Sequence, residues 1–292
     1  MEIKLENESL ELTINSFGAE LKSITGKETG TQYLWDADEK YWKRSAPVLF
    51  PFVGSLKDKK FTVDGTDYPM GQHGFARDSD FICTDITDTS LSFVLKSSEE
   101  TLKVYPFAFA LKITYTLKNH DLEVCWEVVN NDSETMYFTI GGHPAFRVPV
   151  REGESQSDYR LAFEGLDTLT YLLIDTSVGT VIADEPHTLS LENGTCSIAP
   201  HMFDKDALVF DNGQIQKAGI LFPDGTPYLT LTSEGFPNFG IWSVPGAPFV
   251  CLEPWMGRCD DCGFEKSLSE KNNINVLKPD EEFIKSYQIT VH

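Results

Sequence analysis

Residues 109–118, Phe109-Ala-Leu-Lys-Ile-Thr-Tyr-Thr-Leu-Lys118, lead through Asn119-His120-Asp121 into Leu122-Glu-Val-Cys-Trp-Glu-Val128. In the first run Phe109, Leu111, Ile113, Tyr115 and Leu117 alternate with Ala110, Lys112, Thr114, Thr116 and Lys118. A side-chain period of two belongs to a strand with one face in a core. The second run repeats the pattern with Leu122, Val124, Trp126 and Val128. With a polar turn between them, the two runs read as an antiparallel hairpin. Working outward, Leu10, Leu12 and Ile14 alternate near the start, Leu229 and Leu231 later, and Tyr287, Ile289 and Val291 at the end. Asp64-Gly65, Asn193-Gly194, Asn212-Gly213 and Asp224-Gly225 mark turns. Helical periodicity is scarce, and residues 36–44 and 201–206 read as short turns. Residues 151–158 are the most loop-like stretch, too short for a domain linker. The expectation is an all-β chain, one domain over residues 1–292, with large antiparallel sheets packed face to face.

The formal net charge of −21 repels phosphate backbones and anionic lipid surfaces, which argues against nucleic acid and membrane partners. The start, Met1-Glu-Ile-Lys-Leu-Glu-Asn7, lacks the apolar stretch of a signal peptide, and no run is long and apolar enough to span a bilayer. The six cysteines show no framework spacing. These features predict a cytoplasmic protein with free thiols, a monomer or homodimer.

Three segments break the alternation. Gly71-Gln-His73-Gly-Phe-Ala-Arg77 sets glycines around a Gln-His pair; by itself it could be a turn with a surface histidine. In Phe138-Thr-Ile-Gly-Gly-His143-Pro-Ala-Phe146 an apolar strand runs into a Gly-Gly bend, and Pro144 pushes His143 toward extended geometry. Histidine exchanges protons near neutrality, although a structural histidine at a sheet corner fits equally well. In Pro248-Phe-Val-Cys-Leu-Glu253-Pro-Trp255, alternation puts Phe249, Cys251 and Glu253 on one face. A carboxylate at the end of so apolar a strand is costly to bury without a purpose, and partial burial would raise its pKa and strengthen it as a base. Other signals are weak. Cys259-Asp-Asp-Cys262 has zinc-like spacing but no second pair of ligands nearby, and there is no phosphate loop, dinucleotide fingerprint or His-Glu-x-x-His. His120, His187, His201 and His292 lie in turn-like or terminal contexts.

These segments, in this order, resemble the aldose 1-epimerase (galactose mutarotase-like) family, in its LacX-type and hexose-6-phosphate-mutarotase-like branch. The resemblance covers nearly the whole chain. It includes Asn15-Ser-Phe-Gly-Ala-Glu-Leu-Lys-Ser23, Arg44-Ser-Ala-Pro-Val-Leu-Phe-Pro51 and the segments holding His73, His143 and Glu253. It implies a β-supersandwich and a sugar-opening reaction without cofactor or metal. His143 would be the general acid, Glu253 the general base, and His73 a hydrogen-bonding partner of the sugar. It further implies Arg44 and Arg77 as substrate-side cations, with Asp206, or its rival Asp204, taking a sugar hydroxyl. Aromatic rings in these segments, among them Trp42, Trp242 and Trp255, would suit the C–H faces of a sugar. One departure stands out. Galactose mutarotases carry a Gly-Arg pair where this chain reads Val53-Gly-Ser-Leu56, which removes the expectation of galactose specificity. The readings that remain are a mutarotase for a free aldohexose, a hexose-6-phosphate mutarotase, or a non-catalytic sugar-binding protein.

Overall fold

In the computed structural model, which describes residues 1–292, Phe109–Lys118 and Asp121–Asn130 pair antiparallel, with Leu117 opposite Leu122 and Ile113 opposite Trp126. The apolar positions of both strands are buried and the polar ones face outward. This hairpin lies within a nine-stranded antiparallel sheet. Glu282–Val291 and then Pro227–Thr232 extend it on one side, and Ser90–Lys96 and Ile82–Ile86 on the other. The β-supersandwich of the sequence reading is thus observed: a second, eight-stranded sheet faces the first across one large apolar core. The N-terminal strands Glu2–Glu6, Leu10–Asn15 and Glu20–Gly26 form a three-stranded sheet that adds Leu10, Leu12 and Ile14 to that core.

The eight-stranded sheet carries the site. Its middle strand, Phe249–Met256, has Asn238–Trp242 on one side and both Ile140–Gly142 and Ala145–Arg147 on the other. Val250 and Leu252 point into the inter-sheet core, while Phe249 and Cys251 pack on the opposite face in a smaller apolar cluster. Because both faces are covered, the strand is apolar throughout rather than alternating. Two local expectations change. Gly141 and Gly142 continue a strand instead of bending it, and Glu253 lies inside a strand that runs on to Met256 rather than at its end. The glycines serve clearance: a Cβ on Gly141 would stand 2.5 Å from the indole of Trp255. Residues 36–44 and 201–206 hold turns. The α-helix is confined to Glu99–Leu102, capped by Ser98, and no helix is long and apolar enough to cross a membrane.

Trp126 is fully buried in the centre of the hairpin. Trp126→Ala should therefore cost about 3–5 kcal/mol of stability, whereas Ala at the neighbouring exposed Glu123 should fall within about 0.5 kcal/mol of the parent. Urea unfolding of the two variants checks the inward–outward assignment.

Candidate active site

The register of the central strand decides what can meet. Gly141 pairs with Trp255 and Ala145 with Cys251, so the residue between them, His143, falls opposite Glu253. Each is followed by proline, which holds both in extended geometry. His143 Nε2 lies 3.3 Å from Glu253 Oε2. Both residues line a cavity of about 360 Å³, a volume that suits a small organic ligand. Glu253 is 1 % exposed and His143 7 %, so each reaches the cavity through little more than its polar end.

Aromatic rings fix the pair in place. The His143 ring stacks on Trp42 at 4.8 Å and meets Trp242 edge-on at 5.5 Å. Trp255 lines the cavity beside Glu253. Its indole lies across the backbone of both neighbouring strands, because a Cβ on either Gly141 or Gly240 would overlap it. Burial holds the Glu253 carboxyl well above the usual range, and the nearby Asp206 carboxylate pushes the same way. Burial, followed by the Arg77 charge, lowers the His143 imidazole to about 3. In the free protein burial therefore favours the uncharged form of both partners.

His73 approaches from another direction. Its backbone sits at φ +67°, a region costly for a residue with a Cβ, and Gly54 secures it. The Gly54 N–H donates to His73 Nδ1 at 3.0 Å, and the His73 N–H donates to the Gly54 carbonyl at 2.8 Å. Burial and the adjacent His143 keep the ring neutral. With Nδ1 accepting, the proton of a neutral ring sits on Nε2. His73 is then a hydrogen-bond donor with its tautomer set by the backbone.

Arg77 lines the cavity. It donates to the Gln72 carbonyl at 2.7 Å, while its Nε makes no hydrogen bond and lies 3.8 Å from an Asp78 carboxylate oxygen. Burial and the neighbouring Arg44 lower its pKa to about 10. Arg44 does not line the cavity; its guanidinium is taken by Asp78 at 2.8 Å and by the Arg77 carbonyl at 3.3 Å. Glu20, from the N-terminal segment, accepts the amides of Ser45 and Ala46 and so anchors this stretch. Of the two rival aspartates, Asp206 lines the cavity, with Oδ1 accepting from the Ala207 amide at 2.8 Å. Asp204 is exposed and pairs with His201.

Among the lining residues that the sequence reading gave no role are Gln72, which lay inside a quoted segment, Cys259, read as part of a loop, and Ile174, Gly179 and Val244. Cys259 does sit in a loop, held inward by Arg258. That side chain is buried, grips Asp211 through Nε and Nη2, and pairs with Asp261 at 2.8 Å. A wider, more open groove at the edge of the nine-stranded sheet includes Glu164, Lys217 and His292. Lys217 is occupied there by Glu164 at 2.9 Å, and no acid–base pair faces that groove.

Around the main cavity, Glu253 Oε2, His143 Nδ1, Trp255 Nε1 and Arg77 Nε are all buried without a hydrogen-bond partner. Unpaired buried polar atoms are rare in native proteins. A cluster of them, interleaved with aromatic faces, matches a ligand that is polar at its edges and apolar on its flats.

The fold and the site together define a class. The sequence matches the aldose 1-epimerase family over residues 1–289, and the chain belongs to that family. It is 31 % identical to the chromosomal LacX protein of Lactococcus lactis, over all of this chain and 99 % of that one. Among solved structures, a galactose mutarotase related enzyme from Lactobacillus acidophilus superposes with a TM-score of 0.95 at 34 % identity, covering 100 % of this chain and 97 % of that one. A galactose mutarotase-like protein from Lactobacillus casei gives 0.91 at 31 % identity, with both chains fully covered.

The pair's burial has a consequence for stability. Above about pH 4.5 the unfolded chain ionises Glu253 while the folded chain retains the proton, so this residue's contribution is lost as pH rises toward its folded value. Glu253→Gln should thus unfold at a higher temperature than the parent, by a margin that widens as pH rises above about 4.5. Parallel thermal melts measure it; a constant margin would mean that Glu253 is not held protonated.

Proposed function

We propose that the protein is a cofactor-independent mutarotase that interconverts the α and β anomers of an unphosphorylated aldohexose. The observation that carries this reading is the 3.3 Å separation of His143 Nε2 and Glu253 Oε2 in one cavity. In a cyclic hemiacetal the anomeric hydroxyl and the ring oxygen share one carbon. A base for the first and an acid for the second must therefore be close neighbours.

The proton balance closes on this pair alone. On ring opening, Glu253 carboxylate takes the proton of the anomeric hydroxyl while protonated His143 gives one to the ring oxygen. The C–O bond to the ring oxygen breaks, leaving an open-chain aldehyde, a protonated Glu253 and a neutral His143. After rotation of the aldehyde the same transfers run backward on its other face, which yields the second anomer and restores the ion pair. One proton stays on the two side chains throughout and only changes sides. In the free protein burial favours the proton on Glu253, the distribution that accompanies the open-chain stage. The sugar hydroxyls, together with the donors His73, Trp255 and Arg77, supply polar contacts that offset ionisation when the ring form binds. Each positioned proton transfer is worth about 10²–10⁴-fold in rate.

The charge around the cavity favours a neutral sugar. Arg77 is the cation on its wall, Asp206 on the same wall offsets it, burial favours the neutral form of Glu253, and Arg44 is spent on Asp78. A phosphate bearing about −1.5 to −2 charges would find no surplus of positive charge there.

Anomer exchange measured by NMR, over common aldoses and their 6-phosphates, tests the proposal. Glucose or galactose should exchange faster with the parent protein than without it, and faster than its 6-phosphate. Glu253→Gln and His143→Gln should each lose at least about 100-fold. Because the catalytic unit is a singly protonated pair, kcat/KM should stay level through neutral pH and fall on the alkaline side as the last proton leaves. Normal exchange in Glu253→Gln would overturn the assignment of the base, and sugar binding by calorimetry without any exchange would leave a binding protein.

A further inference from the structure

Cys251 is a buried thiol for which the proposed reaction has no use. It lies two residues before Glu253 on the same strand face, opposite Ala145 in the register that sets His143 against Glu253. The Cys251 sulfur, a ring nitrogen of His143 and a carboxylate oxygen of Glu253 all lie within 4.8 Å of one another. Imidazole nitrogen, thiolate sulfur and carboxylate oxygen are the donors that zinc(II) prefers, and three protein ligands with one open position form a familiar zinc arrangement. A tetrahedral ion with bonds of ~2.0–2.3 Å would draw the three atoms to roughly 3.5 Å of one another, a closure of little more than about an ångström. Glu253 Oε2 adds to the reading: it is almost wholly buried and faces His143 Nε2 at 3.3 Å without the geometry of a hydrogen bond.

We propose that His143, Cys251 and Glu253 form a site for a thiophilic divalent cation of the zinc class, which seizes the acid–base pair and excludes the sugar. This rests on the mutarotase reading for its consequence, but not for the binding itself. The ion would act as an inhibitor rather than a resident cofactor. It enters through the cavity, where His143 and Glu253 are accessible, and reaches Cys251 behind them. Coordination takes Cys251 as thiolate and Glu253 as carboxylate, the thiol and carboxyl protons leave to solvent, and the two negative charges balance the ion. Asp206 faces the site and favours a cation, while Arg77 opposes one, so affinity is moderated by the walls of the cavity. A hard cation such as magnesium, which demands oxygen ligands, has no comparable set here.

The experiment titrates zinc chloride into the full-length protein by calorimetry, with cobalt(II) as a spectroscopic probe for a sulfur–metal charge-transfer band. One ion per chain and a cobalt–thiolate band are expected. Cys251→Ser should lose both the band and at least about 100-fold in affinity, since even residues that only support metal ligands are worth 10–100-fold. Zinc should raise the apparent KM of anomer exchange in the parent protein and have far less effect in Cys251→Ser. His201→Asn removes the exposed His201–Asp204 pair, the other place a zinc ion could settle, and should leave the cobalt band intact. Should Cys251→Ser fail to fold, Cys251→Ala and Glu253→Gln provide the same comparison. Unchanged zinc affinity without the thiol, absence of the cobalt band, or loss of binding in His201→Asn would each overturn the proposal. Zinc binding with the band but without any anomer exchange would uphold the metal site and remove the mutarotase reading instead.

Discussion

The antiparallel register between Phe249–Met256 and the two short strands flanking His143 is the constraint on which the rest depends. It sets an imidazole across from a carboxyl on the outer face of the eight-stranded sheet, while Val250 and Leu252 lock the same strand into the inter-sheet core. A slip of one residue would turn Glu253 into that core and Leu252 into the cavity. The large apolar core therefore does more than stabilise the fold. By fixing one strand against slippage, it fixes the distance between two side chains contributed by distant parts of the sequence.

Around that pair the protein accumulates local costs that the surrounding structure sustains. Glu253 is buried without a hydrogen bond to Oε2, His73 occupies a left-handed backbone position, and Trp255 keeps an unpaired indole N–H. Rigid neighbours make this tolerable. Gly54 holds His73 from two sides, paired glycines admit the Trp255 ring, and the Arg258–Asp211 ion pair pins the loop that closes the wall at Cys259. Local rules tend to break where function lives, and here the breaches converge on one cavity.

The fold was legible in the sequence because a period of two is a local property. Phe109 to Val128 declares its inward face residue by residue, and the structure follows it. The segments around His73, His143 and Glu253 also stood out, as glycines, prolines and charges in otherwise apolar surroundings. What could not be read were facts of pairing. Gly141 and Gly142 look like a bend when taken alone; the ring that makes them necessary belongs to Trp255, far along the chain. Arg44 and Arg77 look equivalent as letters, yet Asp78 occupies one and the cavity faces the other. Cys251 passed as an ordinary apolar strand residue because its neighbour His143 lies far away in the sequence, between two short strands. The zinc-like spacing at Cys259 and Cys262 drew the eye instead, although one of those thiols faces the cavity wall and the other is exposed.

Of the chain's five tryptophans, Trp42, Trp242 and Trp255 line the cavity, and Trp42 lies flat against the imidazole of His143. Indole emission responds to the polarity of its surroundings and to the charge of an imidazole stacked upon it. The chain thus carries its own optical gauge of the cavity, stacked on the ring to which the proposed mechanism assigns a proton transfer, and readable without any label.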